Sequence, residues 1–305
     1  MPSKKRPTGR GRQGSGKVSA SFRIQATLSG LAAGNITGEE LRSYYAQEYA
    51  AFAAQRAEVS DDLRDWIATS STRLEFTGWQ RVVRTRYLTA PLSAHGSVLD
   101  PAGGRFNFGR IEPSLYPPFP ALYIARDKVT ARLEVFGQEA PGRSILDRLE
   151  IALAKTESVA EFSVSGEIVE VLDITDRRNL KGLLERVRGF QHPSHLMDLA
   201  QRLGITPRVA NTLDTLYDSM MRPDWRQMPN FLGVPANSQI LGQMAKMAGV
   251  EAIKYRSVHS NRFCLAVFPE NFAYSPSRIT LDDPTPDDSP QLIRELNKST
   301  WDRLV

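Results

Sequence analysis

The stretch Ala121-Leu-Tyr-Ile-Ala-Arg-Asp-Lys-Val-Thr-Ala-Arg-Leu-Glu-Val135 changes its character halfway along. Residues Ala121 to Ala125 form an apolar run of the length of a buried strand. Asp127 can then cap a helix running from Lys128 to Phe136, which Gly137 stops. A strand, a short turn and a helix in so few residues make an α/β chain the expectation.

Working outward, the residues before this unit, Leu88 to Pro120, are rich in Pro, Gly and Ser and read as long loops, which in a compact domain are often functional. Before them Gln80 to Tyr87 reads as a strand. Further back, Thr37 followed by Glu40 reads as a capping box that opens an Ala-rich helix to about Ala57, and Ser60 reads as the cap of a shorter helix containing Leu63, Trp66 and Ile67. The apolar Tyr44, Tyr45, Phe52, Trp66 and Ile67 of these two helices need a surface to cover, and we expect them to pack against the body of the protein.

On the other side, Glu167 to Ile174 reads as a strand. Helical patterns follow at Leu180–Val187, Ser194–Leu203 and Pro207–Met221, the last with Thr206 as cap. A helix from about Ala236 to Ala248 ends at Gly249, and strands are expected at Ala252–Tyr255 and Phe263–Phe268. Residues 282–290, with four Asp and three Pro, read as a linker before a short helix near Leu292–Trp301.

The net charge of +5 invites a nucleic-acid reading, but the charge is unevenly placed. Residues 1–20 hold six Lys and Arg and no acid, so that removing them leaves residues 21–305 at −1. The basic character belongs to a Gly/Ser/Pro-rich tail too polar to fold on its own, and nucleic-acid binding through it would be weak and salt-sensitive. No apolar run has the length of a membrane span, and no secretory leader is visible. The single cysteine, Cys264, lies in an apolar run and reads as a buried strand thiol, which fits a reducing cytoplasm.

Short motifs in the tail mislead. Gly9-x-Gly11-x-x-Gly14 matches a dinucleotide fingerprint, yet no strand pattern precedes it, and the P-loop-like Gly11 to Lys17 has Val18 where a hydroxyl is needed. His192 and His195, with no cysteine near, show no zinc spacing and read as a surface pair at a helix end, so no metal and no bound cofactor is expected.

What remains is an ordered constellation. Trp79-Gln-Arg-Val-Val-Arg-Thr-Arg-Tyr87, Gly103-Gly-Arg-Phe-Asn-Phe-Gly109 and the opening stretch Ala121–Val135 together resemble the RES domain, in which an Arg, a Glu and a Ser give the family its name. The resemblance spans roughly residues 79–140 and 236–272. It places the first arginine at Arg81, the arginine of the Gly-Gly-Arg motif at Arg105, the strand tyrosine at Tyr123, the glutamate at Glu134, the serine at Ser257 and the following asparagine at Asn261. Phe106 stands where the family has tryptophan. The Pro-rich Ile111 to Pro120, the long interval between Glu134 and Ser257, and the N-terminal helices also depart from its compact members.

The resemblance implies an ADP-ribosyltransferase-like α/β fold, with a mixed sheet core, surrounding helices and an N-terminal helical extension. It further implies a toxin that consumes NAD⁺ as substrate by phosphorolysis or hydrolysis of the nicotinamide–ribose bond, and an Xre-like antitoxin partner, with a dimer or larger complex expected by analogy. The expected division is a disordered basic tail at 1–22 and a helical extension at 23–75. A RES-type catalytic domain follows at 76–281 with a helical insertion at about 175–235, and 282–305 form the linker and last helix.

The residue chemistry agrees with that implication. A guanidinium is a rigid fork matched to phosphate oxygens, a task suited to Arg81 and Arg105, and Gly104 lets backbone approach a ligand. Tyr123 offers a π face to the cationic nicotinamide ring. Glu134 can stabilise positive charge on the ribose carbon, while Ser257 and Asn261 can bond to the substrate. Taken alone, Arg81 beside Arg84 and Arg86 reads as an edge charge, Tyr123 as core and Glu134 as a surface carboxylate; the ordered set is what points to a site. Transfer of ADP-ribose to a protein is the alternative chemistry, and a nucleic-acid module using the tail is the alternative of another class.

Overall fold

The structure is a computed structural model describing residues 37–136, 159–284 and 292–305. The basic tail, the helix stop at Gly137 and the middle of the acidic linker fall outside the described residues. In chain order the main elements are α1 (Gly38–Glu58), α2 (Ser60–Thr69), β1 (Ser71–Arg84), α3 (Gly96–Leu99), β2 (Leu122–Ala125), α4 (Lys128–Phe136) and β3 (Val159–Asp173). There follow α5 (Lys181–Val187), α6 (Ser194–Arg202), α7 (Leu213–Met220), α8 (Asn237–Met247), β4 (Ala252–Arg256), β5 (Phe263–Val267), β6 (Arg278–Leu281) and β7 (Glu295–Leu296).

These strands form one mixed sheet in the order β1-β2-β5-β4-β3-β6-β7, and β1 also pairs with β3. The pairings from β1 through β2, β5, β4 and β3 therefore return to β1. Strand β3 makes this circuit possible by its length. One edge pairs with β1 almost throughout, while the other serves β6 near Val164–Glu167 and β4, in parallel, at Val171–Asp173.

The side-chain period of two then sorts the core. Leu122 and Ile124 of β2, with Leu265 and Val267 of β5, join Phe76, Trp79, Ile168 and Phe272 on one face. Ala121, Ala125, Cys264, Ala266 and Tyr255 belong to the opposite cluster with Phe106, Phe108, Trp66 and Ile67, and Tyr123 packs against it. Cys264 is a buried thiol, as its apolar neighbours predict.

The two N-terminal helices cover the body in the way their apolar residues require. Thr37 and Glu40 form the reciprocal capping box. Tyr44 of α1 is buried with Leu196, Ala200 and Leu203, Leu41 meets Leu232 and Val234, and Trp66 and Ile67 of α2 enter the main core. His192 is part of this attachment and not of an exposed pair. Its side chain is buried, with Nε2 2.8 Å from Glu48 Oε1 and the ring edge-on to Phe52.

Several boundaries differ from the sequence reading for physical reasons. Strand β1 starts at Ser71 because its first half, though largely polar and exposed, finds hydrogen-bond partners along β3, and Thr85–Tyr87 is a 3₁₀ turn. Ser60 is already helical and makes no side-chain cap. The helix expected from Pro207 begins only at Leu213, because Thr212 and Thr215 cap it reciprocally. No helix spans Leu292–Trp301: Leu296, fully buried, pairs with Ile279, Asn297 and Thr300 bond to each other across a turn, and a short 3₁₀ helix begins only at Trp301. None of the described helices is long and apolar enough to cross a membrane.

Candidate active site

Helix α4 inverts the usual polarity of a surface helix. Val129, Val135 and Phe136 face solvent, whereas Thr130, Ala131 and the half-buried Glu134 face inward, as spacing on one helical face allows. Asp127 caps the helix by accepting from the Thr130 amide at 2.9 Å, and Thr130 Oγ1 lies 2.9 Å from Ser260 Oγ, tying α4 to the β4–β5 turn. The Glu134 carboxylate is held at both oxygens. Ser257 Oγ donates to Oε1 at 2.5 Å and Tyr255 Oη to Oε2 at 3.2 Å.

Ser257 is buried, and its hydroxyl also accepts from the amides of His259 at 3.2 Å and Ser260 at 3.3 Å. A serine hydroxyl has one proton and two lone pairs, so all three are engaged and Ser257 acts through Glu134. Tyr255 was not singled out by sequence. It sits in β4 two residues before Ser257, which directly follows the strand; both side chains reach Glu134, and that period-two spacing is the signal that could have found it. Burial, with the Glu134 charge adding to it, pushes its phenol well above the usual range, so it is a donor.

The loop carrying Arg105 is built from below. Gly103 has φ +75°, a conformation that glycine adopts without cost. A Cβ on Gly104 would strike the Tyr123 hydroxyl, so this glycine makes room for a neighbouring side chain in the loop's own framework. Tyr123 Oη accepts from the Phe106 amide at 2.9 Å and donates to Asn107 Oδ1 at 2.8 Å. Beneath, the buried Gln239 of α8 donates from Nε2 to the carbonyls of Ala102 (2.6 Å), Gly104 (3.1 Å) and Asn107 (2.9 Å). Sequence reading passed over Gln239; its hint is a glutamine at the third position of the helix, the capping-box position, from which Oε1 also accepts from the Ala236 amide.

Gly242, one turn further along α8, lies against this loop, and a Cβ there would run into the Phe106 carbonyl. Gly→Ala inside a helix ordinarily gains about 1 kcal/mol. Here overpacking against backbone, on the order of 1–3 kcal/mol, reverses the sign. Gly242→Ala should lower the Tm by a few degrees and displace Arg105; a thermal melt showing an equal or higher Tm would mean that the loop has slack.

These parts surround a cleft of about 530 Å³ lined by Arg81, Gly104, Arg105, Tyr123, Glu134, Tyr255 and His259, together with Trp225 and Arg226. Its size is that of small-molecule sites. Arg105 is buried, donates from Nη1 to the Arg222 carbonyl at 2.9 Å and lies 5.7 Å from the centre of the Trp225 ring. Burial lowers the pKa of Arg105, and Tyr255 and Glu134 act in the opposite sense. Tyr123, its ring half-buried on the cleft wall, is held neutral mainly by burial.

The structure thus brings Arg81, Gly104, Arg105, Tyr123 and Glu134 to one cleft, with Ser257 just behind Glu134. Arg81 is engaged differently from its expected role as a phosphate fork. Its Nε donates to the Pro91 carbonyl at 2.5 Å, Nη1 to that of Tyr123 at 3.0 Å and Nη2 to that of Ser93 at 2.7 Å, so it ties the cleft-wall loop to β2. Burial pulls its pKa down to about 9, which still leaves it charged at neutral pH. Asn261 is not brought to the cleft. It is exposed in the β4–β5 turn at φ +59°, a left-handed conformation that asparagine tolerates, and its amide donates to the Ser257 carbonyl.

The RES domain family model matches residues 79–287, about two thirds of the chain and all of the cleft residues named above. No curated protein matches the chain. A chain in the crystal structure of the M. tuberculosis MbcT–MbcA toxin–antitoxin complex aligns with a TM-score of 0.39 and 13% identity, covering 80% of this chain and 96% of that one. The family assignment does not rest on that likeness.

Proposed function

The chain belongs to the RES-domain family, and from that premise we propose that it is an enzyme that breaks the nicotinamide–ribose bond of NAD⁺. The observation that carries the reading is the seat of Glu134, a carboxylate turned inward from a surface helix and held at both oxygens in the wall of a small-molecule cleft. A carboxylate has about four lone-pair sites, so each oxygen keeps one for a substrate hydroxyl.

In the reaction, the bond between the ribose C1 and the nicotinamide nitrogen breaks and its electron pair leaves with nicotinamide, neutralising the ring. Positive charge develops on the ribose carbon. Glu134, its orientation set by Ser257 and Tyr255, stabilises that charge more in the transition state than in the ground state, where C1 is still bonded. Tyr123 offers its ring to the nicotinamide of bound NAD⁺, which is cationic until the bond breaks. A phosphate oxygen or a water then forms the new bond at C1; water loses a proton in doing so. The same premise supports a place for this enzyme as the toxin of a toxin–antitoxin pair, lowering cellular NAD⁺ until an antitoxin protein restrains it.

Incubating the purified chain with NAD⁺, with and without inorganic phosphate and cell extract, and resolving the products by mass spectrometry tests the reading. Nicotinamide is expected in every case, accompanied by ADP-ribose 1-phosphate when phosphate is the acceptor and by ADP-ribose when water is. ADP-ribose attached to extract proteins would make a protein the acceptor. NAD⁺ recovered intact would contradict the proposal.

A further inference from the structure

The turn that follows α7 is a built part of the cleft. Met220, Met221 and Trp225 are buried in the main body. Arg222 grips Asp224 through two bonds of 2.8 Å, Nε to Oδ1 and Nη2 to Oδ2. Helix α1 braces the far end, where Arg42 Nε donates to the Phe231 carbonyl at 3.0 Å and Leu41 packs on Leu232. The turn therefore presents Trp225 and Arg226 in a fixed place.

Two cations share that indole. The guanidinium carbon of Arg226 lies 4.6 Å from the Trp225 ring centre and that of Arg105 lies 5.7 Å from it, and all three residues line the same cleft. Arg105 donates to a backbone carbonyl, and among the described residues no carboxylate is hydrogen-bonded to either guanidinium. The acid on this side of the cleft, Glu134, is already engaged by Ser257 and Tyr255. Burial chiefly lowers the Arg105 pKa and the Arg226 charge acts in the same sense, so an anion bound by both guanidiniums would offset their like charge. Arg81 is committed to three carbonyls and does not compete for such a ligand.

We infer that Arg105 and Arg226, stacked on Trp225, form an anion subsite that takes phosphate oxygens. Planar guanidinium forks held against an aromatic ring are preorganised for that geometry. The phosphate belongs either to the diphosphate of a dinucleotide substrate or to free phosphate acting as acceptor. Assigning the source rests on the NAD⁺ reading; the binding of phosphate oxygens does not.

The test titrates ADP and inorganic phosphate, separately, into the full chain, its Arg226→Met variant and its Arg226→Lys variant by calorimetry. Arg226 is exposed, so both variants should melt with the wild type. Arg226→Met should weaken binding by about 10–100-fold, the scale of losing charge-assisted hydrogen bonds, with Arg226→Lys in between. A loss confined to ADP assigns the subsite to the substrate's diphosphate, and a loss confined to phosphate assigns it to the acceptor. A wild type that binds neither probe, or variants that bind both within about twofold of it, would overturn the inference. A wild type that binds ADP through Arg226 yet leaves NAD⁺ intact would sink the NAD⁺ reading and leave this one standing.

Discussion

Replacing Glu134 with Gln should slow NAD⁺ consumption by about 10²–10³-fold, the usual worth of one positioned electrostatic group, while substrate binding changes far less. Glutamine keeps the size of the side chain and an oxygen for one of its two donors, Ser257 or Tyr255. What it removes is the negative charge needed when the ribose carbon becomes cationic. Steady-state rates over a range of NAD⁺ concentrations check this, with the fall expected in kcat and not in KM. Were Glu134 an ordinary surface carboxylate, the rate would be unchanged and stability would move by no more than about 0.5 kcal/mol.

Arg81→Met should act first on stability. The Arg81 guanidinium supplies donors to the carbonyls of Pro91, Ser93 and Tyr123. Methionine fills some of the volume and satisfies none of them. Leaving such acceptors without donors costs about 1 kcal/mol or more apiece, so the loss should be on the order of 3 kcal/mol. For a body of this size that corresponds to a fall in Tm of roughly 6–12 °C. Activity would fall with it, since the loop from Pro91 to Ser93 borders the cleft. A thermal melt separates this role from direct phosphate binding: a variant with wild-type Tm and a raised KM for NAD⁺ would return Arg81 to the ligand.

Local signals were legible because they act over a few residues. The capping box of Thr37 and Glu40, the cap at Asp127 and the apolar run of β2 are each settled by neighbours within one turn or one strand. The ordered set of Arg105, Tyr123 and Glu134 was legible by resemblance, although Glu134 on its own looked like a surface charge beside Val135.

Long-range contacts were not legible. Gln239 matters because it reaches three carbonyls more than 130 positions away in the chain, and Trp225 and Arg226 matter because the α7–α8 region folds back over the cleft. The carbonyl bonds of Arg81 were not legible for a related reason: its partners are backbone groups, which every residue type possesses. Asn261 shows the opposite case. Its tolerance of the left-handed region suits a turn, and the turn is where it lies.

The most direct measurement follows NAD⁺ by proton NMR at one equivalent of protein, comparing the wild type with Glu134→Gln after melts have shown both to be folded. With the wild type, free nicotinamide signals should replace those of NAD⁺ as the bond to ribose breaks. With the variant, the NAD⁺ signals should broaden on binding and persist. Nicotinamide released at the same rate by both proteins would remove Glu134 from the chemistry, and NAD⁺ left intact by both would contradict NAD⁺ breakdown itself.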